Sequence, residues 1–184
     1  MSLNIQINNL KLEVLQGKFL NLRIAEEVDA EFILSLRLNP SLNKYLSSTD
    51  PSLEKQKAWI MQTYEKNNDF MFVIEDKNSN KQGTIALYDI DYNEGRAEWG
   101  RLILKQDSMF TFPIEATIQL LNFAFHKLGL KELYGGANNE NKVVVEYHKQ
   151  YANVTAEDEK FTWFSFDDKS LIKLKNKYKN FHNL

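Results

Sequence analysis

The sequence predicts an α/β domain built around one mixed sheet. Several short runs alternate apolar and polar residues, which is typical of half-buried strands. Other stretches repeat apolar residues at intervals of three and four, which is the spacing of an amphipathic helix. In chain order these runs predict β, α, α, β, β, β, α, β, α, β, and strands interleaved with helices favour the α/β class.

The first three elements are a strand and two helices. Residues 19–24 alternate apolar and polar side chains and predict the strand. A helix is expected from Asp29 to Pro40, because proline has no N–H with which to continue a helix. Asp50 is the expected N-cap of the second helix, since Pro51 suits the first helical position.

Three antiparallel strands and a long helix are predicted next. The β-rich runs 70–75 and 82–92 are separated by turn-forming residues and indicate a hairpin, to which 97–104 adds a third strand. Apolar spacing predicts a helix over 112–128, and Gly129 supplies its end. The last elements are a strand at 132–137, a helix at 141–151 and a strand at 161–166.

Nothing in the sequence divides the chain. The 184 residues include only 7 glycines and 3 prolines and no Ser-rich stretch, so a single domain over 1–184 is expected, with its core at about 18–166. Residues 169–184 form a basic tail or helix with regularly spaced apolar residues. This segment is interpreted either as an amphipathic helix for a membrane or partner, or as a solvated or frayed terminus.

Composition excludes several classes of function. Lys and Arg number 23 against 25 Asp and Glu, and no stretch except the one around Lys169 to Lys179 concentrates the basic residues, so no nucleic-acid partner is expected. The absence of cysteine excludes disulfides, thiolate metal sites and a cysteine nucleophile, and fits a reducing compartment. No apolar run approaches the roughly 20 residues of a membrane span, so a cytoplasmic protein is expected. His126 and His182 have no ligand-spaced partners, and no metal site is expected.

A family resemblance rests on three consecutive stretches, AEWGRLIL, PIEATIQLLNFAFHKLGLKELYG and NENKVVVEYHKQYANV, and more weakly on GKFLNLRIAEEVDAEFI near the start. The series resembles the GNAT acyltransferases, closest to the branch of ribosomal-protein and nucleotide-linked amino-sugar acetyltransferases. It covers roughly 18–166, and Glu115, Ala116 and Asn141 match family positions. The resemblance implies the GNAT acyl-CoA N-acyltransferase fold, a central mixed, mostly antiparallel sheet flanked by helices, with acetyl-CoA as co-substrate.

The resemblance also implies where acetyl-CoA binds. In the family, backbone groups at the end of the fourth strand hold the thioester and pantetheine, and a loop at a helix N-terminus holds the pyrophosphate. The expected cofactor residues are Leu102, Ile103, Leu104, Ser108, Thr111, Phe112, Ile114 and Asn141.

The pyrophosphate loop departs from the family pattern Q/R-x-x-G-x-G/A. Its three defined positions hold Ser108, Thr111 and Pro113, and proline has no N–H to offer a phosphate. Other N–H groups at the helix start, with Thr111 as N-cap, and nearby Lys105 could still serve an anion. Alternatively, the loop is only a helix cap.

Catalysis of acyl transfer needs a base for the amine and an acid for the leaving thiolate. Glu98 is the candidate base, since the branch often carries an acidic residue on its fourth strand; alternatively it is a surface carboxylate paired with Arg96 or Arg101. In the family a tyrosine on the last helix is commonly the acid, and counting from Asn141 places His148 at that position with Tyr147 beside it. Either is a candidate acid, Tyr147 because it has the family's chemistry and His148 because an imidazole titrates near neutrality.

Aromatic residues of the variable helix and hairpin are the candidates for acceptor binding. Trp59, Tyr88 and Tyr92 could stack on a sugar or a base, or could belong to the core. The predicted activity is acetyl transfer to a primary amine, with an amino sugar of surface-polysaccharide synthesis favoured and a protein N-terminus as the rival acceptor. A GNAT-fold binding module that has lost acetyl-CoA is the alternative class, and a homodimer is left open.

Overall fold

The computed structural model describes residues 3–179, with side chains from Gln6 onwards. Its single eight-stranded sheet has the order β1-β2-β3-β4-β5-β6-β8-β7, with only β5 and β6 parallel among neighbours. The strands are Leu15–Gln16 (β1), Leu20–Ile24 (β2), Phe70–Asp76 (β3), Lys81–Asp91 (β4), Arg96–Leu104 (β5), Glu132–Asn138 (β6), Asn153–Glu157 (β7) and Phe161–Phe166 (β8). The helices are Leu3–Lys11 (α1), Ala30–Leu38 (α2), Leu53–Glu65 (α3), Phe112–Asn122 (α4), Lys142–Lys149 (α5) and Asp168–Lys177 (α6).

Helices cover both faces of the sheet. Successive residues of β3 face opposite sides, so Phe70 and Phe72 join the core under α4, while Met71 and Val73 pack with α2 and α3. Because both faces are covered, β3 reads as a continuous apolar run. The predicted mixed α/β architecture is confirmed, and the cavity described below lies on the α2 and α3 side.

A buried ion pair fixes the turn between β2 and α2. The Arg23 guanidinium donates to both carboxylate oxygens of Asp29, at 2.7 and 2.8 Å, and Lys81 adds a second cation at 2.6 Å. These contacts hold the pKa of the fully buried Asp29 down at about 2, although burial alone would raise it. The start of α2, which borders the cavity, is thereby held against the sheet.

The start of α3 differs from its prediction. Ser52, not Asp50, is the N-cap, and its hydroxyl accepts from the Lys55 amide. Asp50 instead accepts from the Ser52 amide at 2.9 Å, which shapes the turn before the helix. Sequence reasoning assigned the cap to the first of two eligible side chains, and the helix begins two residues later.

We expect Ser52→Ala to lower the free energy of unfolding by about 1 kcal/mol, because the Lys55 amide at the helix N-terminus loses its acceptor. Chemical denaturation would measure the change. Ser41→Ala is the matched control on an exposed turn, and an equal loss in both variants would contradict the capping role.

The C-terminal helix is packed rather than frayed. Leu171 and Leu174 of α6 are buried against the core under α4, whereas Ile172 is 51% exposed. The segment is thus a helix rather than a frayed end over Asp168–Lys177, its binding to a membrane or partner stays a prediction, and residues 180–184 lie outside the described part. Within residues 3–179, no helix is long and apolar enough to span a bilayer.

Candidate functional site

A gap opens where β5 and β6 part. The two strands pair only from Arg96–Glu98 to Glu132–Tyr134, and no further pairing joins them towards their C-terminal ends. On the β4 side, β5 carries a bulge, since Arg101 and Leu102 together oppose the single residue Ile85. Arg101 has a φ of +52°, and this left-handed residue bends β5 away from β6. The backbone of β5 beyond Glu98 is thus available on its β6 side.

Several expected cofactor residues lie at this gap. Leu102 and Asn141 line it, together with His148, while Ile103 and Leu104 turn their side chains into the protein and pair with β4. Trp99 closes the inner end, where an added Cβ at Gly135 would come within 2.9 Å of the Trp99 carbonyl. The gap has a volume of about 190 Å³.

The first turn of α4 offers few free N–H groups. The Phe112 amide donates to the Met109 carbonyl, Pro113 has none, and the Glu115 amide donates to the Thr111 carbonyl. Of the first four helical positions, Ile114 is therefore the one whose N–H is not used in a hydrogen bond within the loop. Thr111 stands at the predicted N-cap position, but its side chain makes no capping bond.

The loop presents Met109 and Phe110 to solvent, at 51% and 70% exposure, whereas the next two side chains face inward. Thr111 and Phe112 are buried, at 4% and 3% exposure, so neither occupies the space outside the helix start. Ser108 donates to the Gln82 side chain at 3.2 Å. The Thr111 side chain therefore does not obstruct the start of α4, and what the first turn lacks is the amide donor at Pro113.

His148 reaches the gap and Tyr147 does not. Its Nδ1 lies 2.8 Å from the Tyr151 hydroxyl, and its ring packs edge-on against Trp99 at 5.4 Å. Burial lowers the pKa of His148 to about 4, so the expectation that it titrates near neutrality is wrong. Tyr147 packs into the core, where burial raises its pKa well above 10. At neutral pH the His148 ring is neutral, with one ring nitrogen as a hydrogen-bond donor and the other as an acceptor.

A larger cavity of about 500 Å³ lies on the other side of the β5 bulge, between the sheet and the helices α2 and α3. Its lining includes the expected aromatic residues Trp59 and Tyr88, and it shares Arg101 with the gap. Tyr92 lies elsewhere, with its hydroxyl donating to the Asn67 carbonyl at 2.6 Å beside α1. The structure therefore brings two of the three expected acceptor residues together.

Glu98 is connected to this cavity through Tyr88. The Tyr88 hydroxyl donates to Glu98 Oε1 at 2.8 Å across the paired strands, and neither Arg96 nor Arg101 forms an ion pair with Glu98. Burial and this carboxylate raise the pKa of Tyr88 well above 10. Gly100 makes room for the hydroxyl, since an added Cβ would lie 3.0 Å from it. The pair can accept and pass on a proton.

Arg101 forms the wall between the gap and the cavity. Its guanidinium bonds Asp69 at 2.8 Å and lies over the rings of Tyr88 at 4.1 Å and Trp59 at 5.0 Å. A positive φ is strained at an arginine, and the ion pair with Asp69 and the stacking on the two rings stabilise Arg101 in this conformation.

A family model, the acetyltransferase (GNAT) domain, matches residues 20–150. The chain belongs to this family. As a GNAT protein it is similar to FdhC, described as a nucleotide-linked sugar GNAT, with 27% identity, a TM-score of 0.82, and coverage of 93% of this chain and 99% of that one. No curated protein sequence matches it.

Two more distant GNAT structures share the fold. A GCN5-related N-acetyltransferase from Brucella melitensis is 19% identical, with a TM-score of 0.75 and coverage of 92% of this chain and 85% of its own. Spermidine N-acetyltransferase from Vibrio cholerae, solved with CoA and spermine, is 21% identical, with a TM-score of 0.75 and coverage of 83% and 98%. The predicted GNAT fold is thereby confirmed.

The GNAT gap suits one end of acetyl-CoA better than the other. Its apolar and backbone lining, including Leu102 and the two glycines at 135 and 136, fits a flexible pantetheine arm. For the pyrophosphate end, the first turn of α4 contributes only the Ile114 N–H, because Pro113 has none and the Phe112 and Glu115 amides are bonded within the loop. Among the described residues, no group of three or more His, Cys, Asp or Glu side chains could hold a metal ion.

Sequence reasoning missed Arg37, Gln56 and Arg101 as site residues. Arg37 and Gln56 stand in no pattern that distinguishes them from surface side chains, and only the fold brings α2, α3 and β5 together around one cavity. The Trp-Gly-Arg run at 99–101 was a usable signal, since glycine within a strand often marks a bulge.

Proposed function

We propose that this GNAT protein transfers the acetyl group of acetyl-CoA to a primary amine, and that the amine belongs to an amino sugar of surface-polysaccharide synthesis. The supporting observation is that the gap and the 500 Å³ cavity meet at Arg101. Two ligands entering from opposite sides of the β5 bulge would therefore approach each other. Acetyl-CoA supplies a thioester, whose acetyl group an amine can accept.

Glu98 is proposed as the base, acting through Tyr88. Because Tyr88 lines the cavity and donates to Glu98, its hydroxyl can accept a proton from the amine while passing its own to the carboxylate. This relay leaves the amine nitrogen with a free lone pair for attack. Trp59, in the same lining, would form an aromatic wall for a sugar ring.

His148 is proposed as the donor on the cofactor side. In this proposal the Tyr151 hydroxyl donates to Nδ1, which places the ring proton on Nε2, and Nε2 donates to a ligand in the gap. A neutral imidazole N–H can stabilise negative charge that develops on the carbonyl oxygen or on the departing sulfur. Tyr147, the other candidate acid, is not among the residues that line the gap.

The similarity to FdhC supports a sugar acceptor, because that protein is described as a nucleotide-linked sugar GNAT and is 27% identical over nearly all of this chain. A protein N-terminus is the rival acceptor within the same chemistry. Since acetyl-CoA is an intracellular metabolite, we propose a cytoplasmic location.

Thermal unfolding with acetyl-CoA tests the donor. Ligand at 100 times its dissociation constant adds about 2.7 kcal/mol to the free energy of unfolding, so we expect the midpoint to rise by several degrees. No rise at millimolar acetyl-CoA would overturn the proposed activity and favour a GNAT-fold binding module that has lost the cofactor. In that case, Pro113→Gly, which restores an amide donor to the first turn of α4, should confer CoA binding.

Acceptor assays separate the two proposed substrates. With acetyl-CoA fixed, we expect release of free CoA in the presence of an amino sugar and much less with a short peptide that has a free N-terminus. The reverse preference would replace the sugar by a protein acceptor, and no turnover with either would contradict both.

A further inference from the structure

The acceptor cavity carries an excess of positive charge. Three cationic side chains line it, those of Arg37, Lys55 and Arg101, against one carboxylate, that of Asp50. Asp50 is already paired with Lys55 at the exposed rim, and Arg101 is paired with Asp69. Arg37 is the cation of this lining whose charge no described carboxylate neutralises.

Arg37 is held in place by neutral partners. Its Nε donates to the Thr49 hydroxyl at 2.7 Å, and one Nη donates to the Ser47 carbonyl at 3.3 Å. Burial and the nearby charge of Arg101 both lower its pKa from the usual value. Two cations that face one cavity repel each other, and an anion between them would relieve that repulsion.

Gln56 supplies an independent observation. It borders the same cavity, it is only 8% exposed, and its amide nitrogen has no hydrogen-bond acceptor among the described residues. A buried donor without an acceptor is costly and therefore uncommon in native proteins. A ligand oxygen in the cavity is a partner that a rotation of the Gln56 side chain could reach.

We propose that Arg37 and Gln56 form an anion subsite in the acceptor cavity, and that the acceptor is an amine that also carries a phosphate or diphosphate group. Arginine presents several N–H donors in a planar fork that matches phosphate oxygens, and the hydroxyls of Ser47, Ser48 and Thr49 border the same space. The proposal rests on the proposed function, since it names the substrate class of that site.

The same charges disfavour a polyamine. A polyamine acceptor needs carboxylates to replace its lost hydration, whereas this lining offers only Asp50, which Lys55 already occupies. Spermidine would also approach Arg37 and Arg101 with like charge. This protein therefore shares its fold with spermidine N-acetyltransferase but differs from it in the acceptor that it binds.

Inorganic pyrophosphate tests the subsite without catalysis. Saturating CoA first fills the cofactor site, and the unfolding midpoint is then measured with and without millimolar pyrophosphate. We expect a further rise for the wild type, a smaller one for Arg37→Lys, and none for Arg37→Gln. Gln56→Leu should fold at least as well and respond less, because it removes an unpartnered donor.

Arg96→Gln is the matched control, since Arg96 is exposed at the start of β5 and does not line the cavity. Its response to pyrophosphate should equal that of the wild type. A response that survives unchanged in both Arg37→Gln and Gln56→Leu would overturn the subsite.

Acetyl transfer to glucosamine 1-phosphate, glucosamine and spermidine provides the second readout. Arg37→Gln should raise the KM for the phosphorylated amine by about 10- to 100-fold, the range of a charge-assisted hydrogen bond, with kcat and the KM for glucosamine nearly unchanged. A preference for spermidine would overturn the subsite and leave the acetyltransferase activity standing. No transfer to any amine, with the pyrophosphate response intact, would instead contradict the activity alone.

Discussion

Glu98→Gln should lower kcat for acetyl transfer by about 10²- to 10⁴-fold, the usual contribution of a positioned general base. Glutamine keeps the shape of the side chain and can still accept the hydrogen bond from Tyr88, but it cannot take up a proton. The cofactor gap lies on the other side of the bulge, so stabilisation by acetyl-CoA should remain unchanged.

Two further variants make this result specific. Tyr88→Phe should also lower kcat, by less if water can replace the hydroxyl between the amine and Glu98. Glu94→Gln, on the exposed turn before β5, is the matched control and should retain full activity. Wild-type turnover by Glu98→Gln would remove Glu98 from the mechanism and leave it as the partner that orients Tyr88.

Stability should fall as the pH falls from 6.5 to 4, and His148 should account for about 3 kcal/mol of the loss. Its pKa is about 4 in the folded protein, against 6.5 for an exposed histidine. Between these values the unfolded chain binds a proton that the folded protein excludes, so protonation favours unfolding. The stability is fully present above pH 6.5, and a pKa lower by about 2.5 corresponds to about 3 kcal/mol.

Denaturation at pH 7 and pH 4.5 would measure this dependence. His148→Gln should flatten the curve, since glutamine can still bond the Tyr151 hydroxyl but does not titrate. His126→Gln is the matched control, because His126 is exposed beside Asp168. A wild-type pH dependence in His148→Gln would show that other groups cause the loss.

Much of the fold could be predicted because buried residues repeat at regular intervals along strands and helices. The hairpin of β3 and β4 and the long helix α4 are recognisable from that period and from the residues that flank them. β7 was missed because all five of its residues are exposed, so no apolar alternation marks it. β1 has only two residues, which are too few to show an alternation of apolar and polar side chains.

The candidate site could be predicted only in part, because its properties depend on surroundings. The sequence marks Glu98 and His148 as titratable, but not that a tyrosine from β4 bonds the first or that burial shifts the second. Arg37 and Gln56 become notable only when the partners around them are known. The balance of charge in a cavity depends on which side chains the fold brings together, and the spacing of residues along the chain does not predict it.

The bulge in β5 depends on a single extra residue, which the sheet does not need but the gap does. Because two residues there span the distance of one, shortening the strand by deleting Arg101 would preserve which face Ile103 and Leu104 present, remove a left-handed arginine, and let β5 straighten against β6. We expect such a shortened chain to have a more regular sheet and to lack the gap in which acetyl-CoA is proposed to bind. The extra residue therefore costs backbone strain at Arg101, and it keeps open the place where the gap and the cavity meet.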